Sequence, residues 1–83
     1  MVQSIQEFIE TAMYSGIFTK NPNPKRPSDK LLNQLIDENT TKLGLDCTNV
    51  VLKMFDYGLI DGTYSTADNG EITLTIIDED DYE

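Results

Sequence analysis

The chain has no histidine and no tryptophan, a single cysteine, three prolines confined to residues 22–27, and six basic residues against fifteen acidic ones in 83 positions. Each scarcity excludes a chemistry. Without histidine there is no imidazole acid–base catalyst and no imidazole metal ligand. The serines, the threonines and Cys47 therefore lack the usual base that activates a nucleophile. One cysteine rules out an intramolecular disulfide framework and suits a reducing compartment. A net charge of −9 opposes binding to nucleic acid or to anionic membrane, both of which attract cations. No apolar run approaches the roughly 18 residues of a membrane span. Met1–Ser4 lacks the charged and apolar regions of a signal peptide, so the expected location is cytoplasmic, in a host if the chain is viral. Paired carboxylates can hydrolyse glycosides, but so short a chain offers little room for a sugar cleft. The expectation is a protein that is not an enzyme, with no cofactor and no metal.

What is present is enough for a fold. Apolar residues make up 39 % of the chain, which separates it from disordered acidic tails and supports one thin core. The charge is segregated. Residues 1–45 hold five acids (Glu7, Glu10, Asp29, Asp37, Glu38) and five bases (Lys20, Lys25, Arg26, Lys30, Lys42), a sum of zero. Residues 46–83 hold ten acids and one base, Lys53, so the whole of the −9 lies there.

The pattern predicts three helices and a hairpin. Ser4 and Glu7 form a capping box ahead of Ile5, Phe8, Ile9, Ala12 and Met13, one helical stripe that ends at Gly16. The proline-containing stretch 20–28 is irregular. Ser28 caps a second helix with Leu31, Leu32, Leu35 and Ile36 on its apolar side, running to Leu43 before Gly44. Asp46 caps a third, with Cys47, Val50, Val51, Met54 and Phe55 as its stripe and Gly58 as its stop. Ile72, Leu74 and Ile76 alternate with Thr73 and Thr75, the period of a half-buried strand. A three-residue turn, Asp68-Asn69-Gly70, sets Tyr64 opposite Leu74 and Thr66 opposite Ile72, and buries more apolar surface than a two-residue turn. Residues 1–77 read as one α+β domain and residues 78–83 as an acidic tail.

Helix, loop, helix, turn, helix and hairpin is the order of elements in a winged-helix domain. Leu43-Gly44-Leu45, then Val50, Met54 and Gly58-Leu59-Ile60, resembles that family's second helix, recognition helix and entry to the wing. The resemblance covers about residues 4–77 and implies wing strands at Thr63–Thr66 and Glu71–Ile77, with Ile17-Phe18 as a short first strand. It also implies DNA binding. The chemistry departs from that expectation: a DNA reader offers Arg, Lys, Asn or Gln to base edges. Here the third helix and wing carry Thr48, Asn49 and Lys53 beside Asp46, Asp56, Asp61, Asp68 and Glu71.

The acidic half is the candidate partner surface: Asp56, Tyr57, Asp61, Asp68, Glu71, Asp78, Glu79, Asp80, Asp81 and Glu83. Carboxylates two apart on a strand lie roughly 6.6 Å from one another, comparable to successive phosphates of a nucleic-acid strand. Tyr57, off the stripe and beside Asp56, is the expected aromatic anchor. Other groups have plainer readings. Cys47 is a partly buried structural thiol. Asp68-Asn69-Gly70 fails as a calcium loop, because the required ligand positions fall on Ser65, Ala67 and Ile76. Asn39-Thr40-Thr41 matches a glycosylation pattern by chance. The basic loop is a solvated connection.

The expected function is that of a small acidic inhibitor. It occupies the nucleic-acid-binding surface of a basic protein, as virus-encoded inhibitors of CRISPR, restriction or transcription proteins do, without touching nucleic acid itself. The alternative is a winged-helix transcriptional regulator, dimeric, contacting DNA through the basic loop, Asn49 and Lys53. A third reading is an accessory subunit that binds through an apolar patch.

Overall fold

In a computed structural model, residues 1–77 are described. Strand β1 (Val2–Ser4) leads directly into helix α1 (Ile5–Ser15). The junction is Ser4, whose backbone is extended and whose hydroxyl accepts from the Glu7 amide at 3.2 Å. This satisfies one of the donors that a helix start leaves unpaired. The helix ends as its sequence predicts. The Ile17 amide reaches the Ala12 carbonyl at 3.2 Å and the Gly16 amide reaches Met13 at 3.3 Å, the paired bonds of a Schellman stop. Met13, read as the end of the apolar stripe, is exposed instead.

Helix α2 (Pro27–Glu38) is entered from Arg26 with no side-chain cap, and Ser28, the expected cap, lies instead in the first turn behind Pro27, where the missing N–H is no loss. It stops five residues before Leu43, the expected end. Asn39 Nδ2 donates back to the Leu35 carbonyl at 2.8 Å, and Thr40 Oγ1 to the Ile36 carbonyl at 2.6 Å. Polar side chains that take the last carbonyls in this way compete with helix continuation. The chain turns instead through a minimal hairpin, β2 (Thr40–Thr41) and β3 (Gly44–Leu45), with Leu43 100 % exposed at its tip. Helix α3 (Cys47–Asp56) follows, capped by Asp46, whose carboxylate accepts from the Asn49 amide at 3.1 Å.

Strands β4 (Gly62–Thr66) and β5 (Ile72–Ile76) form the predicted hairpin in the predicted register, Tyr64 opposite Leu74 and Thr66 opposite Ile72. Gly70 adopts φ of 88° and its amide bonds the Ala67 carbonyl at 2.9 Å, the left-handed residue that a three-residue turn demands. The sheet order is β1-β5-β4, antiparallel throughout. The fold is thus α+β with three helices, but the expected order of helices followed by strands is corrected. Its third strand comes from the N-terminus. Ile17 and Phe18, the expected first strand, form no ladder and pack half-buried against the core.

Alternation assigns the two faces of the sheet. Ile72, Leu74 and Ile76 turn toward the helices, while Thr63, Ser65, Thr73, Thr75, Val2 and Ser4 share the exposed opposite face. Helix α3 is the centre of the core, with Val50 and Val51 wholly inaccessible. Ile5, Val51, Phe55 and Leu74 join α1 and α3 to the sheet; Leu35, Val50 and Met54 join α2 to α3. Among the described residues, no helix is long and apolar enough to cross a membrane.

Candidate partner-binding surface on the acidic half

The position of each acid follows from where its element ends. Helix α3 closes with the Leu59 amide on the Met54 carbonyl at 2.8 Å and the Gly58 amide on Phe55 at 3.1 Å. That turn leaves Asp56 and Tyr57 on its outside and feeds Leu59 and Ile60 into the core. Tyr57 is 58 % exposed. Asp61 precedes β4 and its carbonyl accepts from the Ile77 amide at 2.9 Å, extending the hairpin ladder by one pair.

Asp56 is held by a residue that sequence reasoning passed over. The Tyr64 hydroxyl donates to Asp56 Oδ1 at 3.1 Å, and its ring meets Phe55 edge-on with centroids 6.0 Å apart. The hydrogen bond to Asp56, with burial and the nearby carboxylate charge, raises the Tyr64 pKa above its ordinary value. Asp68 and Glu71 stand at the other end of the hairpin, in the turn. There the Asn69 side chain accepts from the Glu71 amide at 3.0 Å and the Ala67 amide donates to the Glu71 carbonyl at 2.8 Å. A five-residue strand at about 3.3 Å per residue separates the two ends by roughly 17 Å. Asp56 and Tyr57 thus stand at the end of α3 and Asp61 at the start of β4, while Asp68 and Glu71 lie in the turn beyond the other end of that strand. Asp78, Glu79, Asp80, Asp81 and Glu83 lie outside the described residues.

The ion pairs lie wholly within the N-terminal half and leave the charge balance between the halves unchanged. Among the described residues there are two, and both neutralise bases of the N-terminal half. Lys20 Nζ lies 2.7 Å from Asp37 Oδ1, and Arg26 Nη2 lies 3.1 Å from Asp29 Oδ1. The Arg26–Asp29 hydrogen bond raises the arginine pKa and lowers that of the carboxyl. Asp56, Asp61, Asp68 and Glu71 have no cationic partner among the described residues and are exposed. Asn49, a candidate base reader, donates instead to Asn39 Oδ1, the residue that ends α2.

Two further features bear on chemistry. Cys47 is half-buried, and burial together with the charge of Asp46 pushes its thiol pKa up, away from thiolate. A shallow groove of about 490 Å³ lies between the start of α1, Thr48 and the β4–β5 turn, and Glu71 is its single ionisable side chain. Among the described residues, no group of three or more Cys, Asp or Glu side chains is gathered as metal ligands would be. Tyr14, at the end of α1 and on the side opposite its apolar stripe, is 95 % exposed, more than Tyr57. No protein-family model, curated protein or solved structure matches this chain.

Proposed function

We propose that the chain is a small acidic binding protein, winged-helix-like with its third strand drawn from the N-terminus. It covers the nucleic-acid-binding surface of a basic protein. The observation that carries this reading is the segregation of unpaired charge. The acids of the third helix and hairpin stand free of cations among the described residues, while acids and bases balance in residues 1–45. A field arranged in this way steers a basic partner to one side of the molecule. The biological setting is inhibition of a CRISPR, restriction or transcription protein by a virus-encoded chain, and the activity is binding rather than catalysis.

The transcription-regulator alternative receives less support. Asn49 is occupied by Asn39, Lys20 and Arg26 are occupied by carboxylates, and Lys53 stands among acids. The discriminating experiment immobilises the chain, captures protein from the natural host, and challenges the complex with duplex DNA at constant ionic strength. Displacement of the captured protein by duplex, with no gel shift of duplex by the chain alone, is the expected result. A complex that resists excess duplex and high salt contradicts the proposal, and so does a low-salt gel shift by the chain itself.

A further inference from the structure

The hairpin ladder fixes which backbone groups face outward. The Ala67 amide bonds the Glu71 carbonyl at 2.8 Å and the Ile77 amide bonds the Asp61 carbonyl at 2.9 Å. These pairs bracket β4 and set its odd-numbered residues, Thr63 and Ser65, toward β5. The same parity appears across the sheet, where the Ile76 amide bonds the Met1 carbonyl at 2.7 Å and the terminal amine bonds the Ile76 carbonyl at 2.8 Å. Gly62, Tyr64 and Thr66 therefore aim their N–H and C=O groups away from the sheet. Among the described residues, nothing bonds those groups.

An open strand edge invites a further strand, and proteins commonly blunt it with lysine, proline or a bulge. Gly62-Thr63-Tyr64-Ser65-Thr66 has none of these, and Thr63 to Thr66 are exposed. The opposite edge of the sheet is β1, only three residues long and ending in a helix cap. One full-length edge is left.

Its surroundings select the occupant. Asp61 stands before the strand, Asp56 beside its middle through the Tyr64 hydroxyl, and Asp68 just beyond its end, with Lys53 as the one base of that half. A second copy fits poorly. Antiparallel self-pairing about Tyr64 would bring Asp61 of each copy toward Asp68 of the other at both ends, and like charges so placed repel. We propose that the β4 edge takes an extended basic segment of the partner protein as a fourth strand, with backbone bonds to Gly62, Tyr64 and Thr66. This rests on the acidic surface being the binding surface, and it adds the mode of recognition: strand addition for affinity, alternate basic side chains for specificity.

The test is residue-resolved amide hydrogen exchange on the full chain at low salt, with a capped peptide alternating arginine and valine as the probe. A peptide alternating glutamate and valine is the control. The expected result is that the amides of Gly62, Tyr64 and Thr66 slow by about tenfold or more with the basic peptide alone, while Thr63 and Ser65, already bonded to β5, change little. The Thr66→Pro variant removes one outward N–H and leaves the ladder intact, so it should weaken the basic peptide by about tenfold. Retained protection at Thr63 and Ser65 verifies that the variant is folded.

Three results would overturn the inference. If the basic peptide binds in a salt-sensitive way but leaves the three edge amides unprotected, strand addition is wrong and the acidic surface survives. If it does not bind at low salt, both fail. If the edge amides become protected as the chain alone is concentrated, the occupant is a second copy.

Discussion

Tyr64 and Asp56 are eight residues apart, and a 3.1 Å hydrogen bond from the phenol to the carboxylate ties the middle of β4 to the last turn of α3. The bond fixes one of the exposed acids of the proposed partner surface against the rim of the core, because the same ring packs edge-on against Phe55. Its protonation chemistry follows. The folded-state pKa of Tyr64 is raised, first by this hydrogen bond. A raised folded pKa means that the stabilisation is whole below the unfolded tyrosine value, near 10, and is lost as pH rises through the folded value. Ultraviolet titration of the chain and of Tyr64→Phe should yield a difference curve lying above that ordinary value. Asp56→Asn should bring it back down. A difference curve at the ordinary value in the unaltered chain would contradict the assignment.

Gly62 opens β4 opposite Ile76. A Cβ there would fall on the Thr75 carbonyl oxygen, and the residue's φ of 144° is itself one that side chains avoid. Gly62→Ala should lower unfolding free energy by about 1–3 kcal/mol or more, measured by urea denaturation. It should also speed exchange at the Ile77 amide, whose acceptor is the neighbouring Asp61 carbonyl. An unchanged midpoint would show that the strands can part at no cost.

Leu74 is fully buried at the centre of β5, facing α1 and α3. Leu74→Ala should cost about 2–5 kcal/mol, the range for a deleted core leucine that leaves a cavity. In a domain of this size that is a large part of the total stability. The same change at Leu43, exposed at the β2–β3 tip, should change the unfolding free energy by less than about 0.5 kcal/mol.

The hairpin was legible because its alternation is strict. Ile72, Leu74 and Ile76 point one way, and one register alone puts Tyr64 and not Ser65 opposite Leu74. The caps were legible too, at Ser4 and Asp46 and at Gly16 and Gly58, because each satisfies a terminal backbone group by a known device. Two features were hidden. β1 is three residues with only Gln3 turned inward, too short to show a period, and its partner lies some seventy residues away. The end of α2 was obscured because Leu43 prolongs the apolar pattern; the back-bonding of Asn39 and Thr40 decides the stop. For the candidate site, sequence identified the exposed acids and Tyr57. The predicted register already set Asp68 and Glu71 at the turn, a strand's length from Asp61, but nothing in the sequence showed that the Tyr64 hydroxyl holds Asp56.

Lys53 is the only base in residues 46–83 and is exposed on α3, one turn before Tyr57. If this half meets a basic partner, Lys53 opposes the encounter. Lys53→Gln should tighten binding of the arginine–valine peptide by about two- to threefold at low salt, and the gain should shrink as salt screens it. Weaker binding in the variant would mean that Lys53 makes a contact of its own, as the DNA-binding alternative requires.

The central claim is that free carboxylates on the hairpin half carry recognition. Its most direct test is the salt dependence of affinity for the host protein that duplex DNA displaces, measured for the unaltered chain and for an Asp56→Lys, Asp61→Lys, Asp68→Lys variant. The account predicts a fall in affinity of about tenfold or more between about 50 and 200 mM salt. It also predicts a shallower slope and weaker low-salt binding in the variant. Affinity that is flat in salt and indifferent to the three reversals would contradict it.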